Sequence, residues 1–294
     1  MNNSLLEIVE RYLAEELDEP VKIFSTKHLG GGCINHASKL ETSIGPLFLK
    51  WNANCNSDIF LREAESLNEL SRATTDLLKV PKVFCAKPVD GTPGFMVQEY
   101  LQAACANDEN DEKLGRGLAI IHQFRNEKFG FYNNNYCGAT TQNNSWADNW
   151  VDFFVNKRLR FLVDLIQVKR PLPSSEILVL EKLFAKIPSL IPSESKAVLI
   201  HGDLWSGNYM NTQDGPALID PAAYYADREI EFAIMTMFGG FSSRFYSAYN
   251  EVHPLEPDWR SRNELYQLYH VLNHFCLFGG SYRMQALSIA KRFI

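Results

Sequence analysis

At 294 residues and 46% hydrophobic content, the chain has enough apolar material for one large domain or two lobes around a real core. A net charge of −6, with no block of Lys and Arg, leaves no electrostatic footprint for nucleic acid or an anionic membrane, and no apolar run approaches the roughly 20 residues needed to cross a bilayer. Six cysteines, none in a CxxC pair, suit a reducing cytoplasm better than a secreted disulfide scaffold.

In chain order, Leu5, Ile8, Val9, Tyr12 and Leu13 recur at helical spacing among acidic residues, which predicts an amphipathic first helix rather than a signal peptide. Val21 to Phe24 leads into His28–Asn35, a loosely alternating stretch that reads as a hairpin with Gly30, Gly31 and Gly32 at its tip. Bare backbone there can offer N–H donors to phosphate oxygens, although an ordinary flexible turn explains the same letters. The strand Leu47 to Trp51 places Phe48 and Lys50 on one face and Leu47, Leu49 and Trp51 on the other. A Lys on a half-buried strand after a Gly-rich hairpin occupies the place of a phosphate-binding Lys. The helix from about Asp58 to Ser71 then carries Glu63 beside its apolar stripe, able to face Lys50.

Prolines and glycines punctuate the segment before the strand Phe95 to Tyr100. A lobe boundary is expected after Leu101, with backbone near Glu99 and Leu101 meeting an adenine edge. Asp108 to Glu112 reads as a solvated turn and His122 as a structural histidine within the helix marked by Leu114, Leu118 and Ile121. Arg125 to Asn149, rich in Asn, Gly and aromatics, reads as a long functional loop. Helices are expected over Trp150–Ile166 and Ile177–Ile187, and again near Arg228–Phe238, Tyr246–Glu251, Asp258–Cys276 and Tyr282–Phe293. His270 and His274 sit four apart on one of these, but neither a zincin Glu nor a third ligand accompanies them, so the pair is not read as a metal site.

The chemistry concentrates in Ala197–Ala222, AVLIHGDLWSGNYMNTQDGPALIDPA. Two short apolar strands flank a polar loop with Asp203, then Asn208 five residues later and Asp220 seventeen residues later. Phosphoryl transfer needs this set: one carboxylate to take or orient a hydroxyl proton, and two hard oxygen donors for Mg²⁺ beside nucleotide phosphates. Turn residues of ordinary kind would give the same letters; the preceding hairpin, Lys50 and Glu63 are what favour the catalytic reading. Trp205, two residues past Asp203, can stack on the apolar face of a sugar. Cys33, at the glycine hairpin, is a candidate for a low-pKa, oxidant-responsive thiol that could join two chains as a homodimer.

With these residues assembled, the chain resembles the fructosamine kinase (ketosamine 3-kinase) family, relatives of aminoglycoside phosphotransferases and choline kinases. GGGCIN at Gly30–Asn35, FLKWN at Phe48–Asn52, FGF at Phe129–Phe131 and HGDLWSGN at His201–Asn208 carry the resemblance, together with the runs after Ile219 and around Leu265–Tyr282. It implies an α+β, two-lobed protein-kinase-like fold, with a small β-rich lobe over 1–101 and a larger, mostly helical lobe over 102–294. It implies ATP-dependent phosphorylation of the 3-hydroxyl of ketosamines, free or on glycated proteins, in a cytoplasmic deglycation role. It also implies Asp203 as base, Asn208 and Asp220 on Mg²⁺, Lys50 and Glu63 setting the phosphates, and Gly30 to Cys33 as the phosphate lid. Ser206 stands where the family has Gly. The rival readings are a kinase of another small molecule, aminoglycoside- or choline-like, and a non-catalytic binding protein on the same fold.

Overall fold

The computed structural model describes residues 3–30 and 35–294. Gly31, Gly32 and Cys33 lie outside the described residues, and with them most of the expected phosphate lid and the oxidant-responsive dimer contact.

The N-terminal lobe is a five-stranded antiparallel sheet of β1 (Ile23–Leu29), β2 (His36–Thr42), β3 (Gly45–Asn52), β4 (Val83–Lys87) and β5 (Gly94–Glu99), in the order β1-β2-β3-β5-β4. The period-two alternation gives its faces to two helices. Leu47, Leu49, Phe95 and Val97 pack with Leu5, Val9 and Leu13 of α1 (Asn3–Leu17). Met96, on the other face, packs with Phe60, Ala64 and Leu67 of α2 (Ile59–Ala73), so Lys50 emerges on the same side as Glu63.

Beyond β5 the chain is mostly helical. The acidic stretch read as a solvated turn is instead the first turn of α3 (Asp108–Ile121), where Asn107 accepts the Asn110 N–H at 2.8 Å and three acidic side chains complement the helix dipole. The long loop holds a small hairpin, β6 (Asn135–Cys137) and β7 (Thr140–Gln142), turned at Gly138 with φ +63°. The segment expected as one helix is α4 (Trp150–Asp152), a π-helical stretch Phe153–Arg160, and α5 (Phe161–Lys169). After α6 (Ser174–Lys186), β8 (Val198–Ile200) pairs with β11 (Tyr224–Ala226), and β9 (Tyr209–Thr212) with β10 (Gly215–Leu218). The two apolar runs flanking the polar loop therefore each have their own partner. Four helices complete the core: α7 (Glu229–Phe238), α8 (Ser243–Val252), α9 (Trp259–Phe278) and α10 (Tyr282–Arg292). His122 is fully buried with Nδ1 2.8 Å from the Tyr249 hydroxyl, a structural setting. His274 Nδ1 lies 2.7 Å from the backbone carbonyl oxygen of His270.

Candidate active site

β8 delivers His201, Gly202 and Asp203 into a turn that requires glycine at its centre. Gly202 has φ +83°, and a Cβ there would stand 2.2 Å from the Ala222 carbonyl oxygen. The His201 and Gly202 amides donate to the two carboxylate oxygens of Glu231, at 2.5 and 3.0 Å. His201 Nε2 lies 2.9 Å from the Ile219 carbonyl, and the Ala222 N–H donates to the His201 carbonyl at 2.9 Å. These bonds fasten the segment carrying Asp203 to the segment carrying Asp220.

Asn208 Nδ2 donates to the Asp203 carbonyl at 2.9 Å and to its carboxylate at 3.2 Å. The Cys137 thiol hydrogen-bonds the same carboxylate. Burial, then the charges of Asp220 and Glu231, outweigh these bonds and push the Asp203 carboxyl up to about 8. Lys50 Nζ contacts Glu63 at 2.8 and 3.0 Å and Asp220 Oδ1 at 2.9 Å. Burial opposes its charge, but Asp220 and Glu63 prevail and hold the ammonium above its ordinary value. Asp220 itself is held at φ +53°, uncommon for a residue with a side chain, and its carboxylate is about half exposed.

The donor set suits a hard cation. Asn208 spends its amide nitrogen on Asp203, which leaves its oxygen for a ligand, and Asp220 adds a partly exposed carboxylate. Both line one cavity of about 600 Å³ together with Gly30, Phe48, Lys50, Glu63, Glu99, Leu101, Asp203 and Trp205. The cavity thus brings together the expected site residues that lie among the described ones. The Glu99 N–H is already bonded to the Lys82 carbonyl at 2.8 Å. Trp205 is 40% exposed, its ring lying over Gly207 and 6.0 Å from the Phe238 ring. It is not core packing beneath the loop.

Glu231 is the main group that sequence reading missed. Its only local signal is a carboxylate set, with Glu229, at the start of the largely apolar α7, where it is almost fully buried. Cys137 gave no signal in the sequence, and His270 stood out only beside His274, because the two residues reach Asp203 from a hairpin and from α9.

Comparison with known proteins agrees with this architecture. The family model described as "Fructosamine kinase" matches residues 5–294. The chain is 35% identical to the ketosamine-3-kinase of Mus musculus, over 91% of this chain and 94% of that protein. It is 36% identical to a chloroplastic protein-ribulosamine 3-kinase of Oryza sativa subsp. indica, over 93% of this chain and 80% of that one. A crystal structure from Thermobifida fusca, provisionally named a fructosamine-3-kinase, superposes with TM-score 0.84 at 30% identity, covering 96% of this chain and 97% of that one. The chain belongs to the fructosamine kinase family.

Proposed function

We propose that the chain transfers the γ-phosphoryl group of ATP to the 3-hydroxyl of ketosamines, sugar adducts of the fructosamine or ribulosamine type on protein lysines or small amines, as a deglycation step. The observation that carries this reading is the convergence of Asp203 with the Lys50–Glu63–Asp220 cluster on one cavity. The names of the mouse and rice relatives support the substrate class.

In this reading Asp203 accepts the hydroxyl proton. A carboxyl pushed up to about 8 holds a proton more firmly than a surface carboxylate, which suits a general base. Asn208 holds the carboxylate in place by its 3.2 Å bond. Asn208 and Asp220 would hold Mg²⁺, which when bound neutralises phosphate charge. Lys50, fixed by Glu63, would meet the phosphates, and Gly30, which lines the same cavity, would begin the lid over them. Phe48, the Leu101 backbone and the carbonyl side of Glu99 receive the base, since the Glu99 N–H is taken. Trp205 offers its exposed face to the sugar.

The small lobe over 1–101 and the large lobe over 102–294 are the two walls of the cavity in this proposal. A reducing, cytoplasmic setting fits the free thiols of Cys55, Cys85, Cys105, Cys137 and Cys276, and no helix among the described residues is long and apolar enough to cross a membrane. The test is phosphate transfer from Mg-ATP to a panel of synthetic fructosamines, ribulosamines, aminoglycosides and choline, with the phosphorylated carbon located by NMR. Turnover of the ketosamines at carbon 3 is expected; preferential turnover of aminoglycosides or choline would overturn the substrate class.

A further inference from the structure

We infer that the chain carries a second cation site, in which the Cys137 thiolate, an oxygen of Asp203 and a ring nitrogen of His270 bind Zn²⁺ and arrest catalysis. One ligand atom from each of these side chains lies within 4.8 Å of the other two. They come from three parts of the fold: the turn end of β6, the loop after β8, and the middle of α9. Cys137 and His270 are both at least nine-tenths buried, and Asp203 joins them from the cavity wall.

An independent observation points to a ligand. His270 Nδ1 is buried without a hydrogen-bond partner, a state that costs free energy in a folded protein and calls for an explanation. Burial also keeps this imidazole neutral, with its basicity pushed down to about 3, so it retains the lone pair that a metal needs.

The donor set selects the metal. Sulfur, nitrogen and carboxylate oxygen together are the ligands of Zn²⁺, whereas Mg²⁺ prefers an all-oxygen shell and would stay with Asn208 and Asp220. The charges also balance. Burial and the neighbouring Asp203 hold the Cys137 thiol well above its ordinary value, because thiolate beside carboxylate would put two negative charges in a dry place. Zn²⁺ cancels both, and the neutral His270 adds none. Arg158, also buried nearby, favours the thiolate while repelling the metal. Binding forms the Zn–S, Zn–O and Zn–N bonds and releases to solvent the thiol proton of Cys137 and, below about pH 8, the carboxyl proton of Asp203 as well. Closing the ligands to bonding distance needs side-chain shifts of about 1 Å.

Metal binding here is independent of what Asp203 does in turnover. The arrest rests on the reading of Asp203 as the base, since a carboxylate oxygen bound to Zn²⁺ no longer accepts the hydroxyl proton.

Co²⁺, a spectroscopic stand-in for Zn²⁺, is titrated into the full chain. A thiolate-to-cobalt charge-transfer band with tetrahedral ligand-field bands is expected, displaced by one equivalent of Zn²⁺. It should vanish in Cys137→Ser, with Cys137→Ala as the alternative if the first does not fold, and weaken in His270→Gln. In ketosamine turnover under excess Mg-ATP, Zn²⁺ should inhibit the wild type, reversibly on adding a zinc-selective chelator. The half-inhibiting concentration should rise at least about tenfold in the same variants, the scale expected when even an outer support of a zinc ligand is lost. No band in the wild type, or an equal band in folded Cys137 variants, would overturn the site. A band that follows Cys137 and His270 without inhibition would uphold the site and refute the catalytic role of Asp203 instead.

Discussion

Behind the His201–Asp203 turn, Glu231 spends both carboxylate oxygens on the backbone amides of His201 and Gly202. In front of it, Asp203 and Asp220 stand as like charges around a cavity, with Lys50 between the lobes drawn to Glu63 and Asp220. One side satisfies its polar groups within the chain, which makes the turn rigid. The other satisfies them only in part, with the Asp220 carboxylate about half exposed to the cavity and the Asp203 carboxyl held in its acid form by burial and like charge. Glu231 is thus a positioning residue, and Asp203 the group it positions.

The strongest way to break this comparison is Asp203→Asn, which keeps the shape and the Asn208 contact but removes the proton acceptor. Turnover should fall by roughly 10²- to 10⁴-fold with nucleotide affinity kept, measured by steady-state kinetics and nucleotide titration; activity within a few-fold of wild type would refute the base. Glu231→Ala should act through the fold instead. It leaves two buried N–H groups without an acceptor, at roughly 1–3 kcal/mol each, and should lower the denaturation midpoint together with turnover. A variant with unchanged midpoint and only lower turnover would contradict the division between the two sides.

A third expectation concerns the cost of the open side. Asp203 in the folded chain takes up a proton between its ordinary 3.8 and about 8, a range in which the unfolded chain has released it. The folded state therefore binds more protons there, and the stability of the ligand-free protein falls as pH rises through that window. Asp203→Asn should raise Tm at pH 8 by about 2–4 °C and flatten the pH dependence, as read by calorimetry. A lower Tm would mean that the carboxylate stabilises its surroundings. Smallest is Trp205→Ala: loss of one ring face, worth about 0.5–1.5 kcal/mol, should raise KM for the ketosamine a few-fold and leave KM for ATP unchanged. Equal rises in both would remove the stacking role.

The open side was the legible one. Lys50 and Glu63 follow from a strand period and a helix stripe, and Asp203, Asn208 and Asp220 from spacing within one loop. Local pattern carries such information because the chain itself sets the distances. The rigid side was not legible, since Glu231 reaches the turn from α7, and no periodicity marks which buried carboxylate meets which amide. For the same reason β9 and β11 passed unnoticed: strands of three or four residues are defined by their partners more than by their letters. The φ of +53° at Asp220 left no trace in the sequence either. The π turns escaped because Phe153, Phe154 and Leu159 suit either kind of helix.

Those π turns also act as a length buffer. Each i→i+5 loop between Phe153 and Arg160 encloses one residue more than an α turn, so loss of a single residue there is met by a return to α geometry. Trp150 on one side and Ile166 on the other then keep their buried faces. In α9, by contrast, a deleted residue would rotate everything beyond it by roughly 100° and carry Tyr269 out of the core. Of these two helical stretches, tolerance to the loss of one residue therefore lies with the segment that holds Arg158.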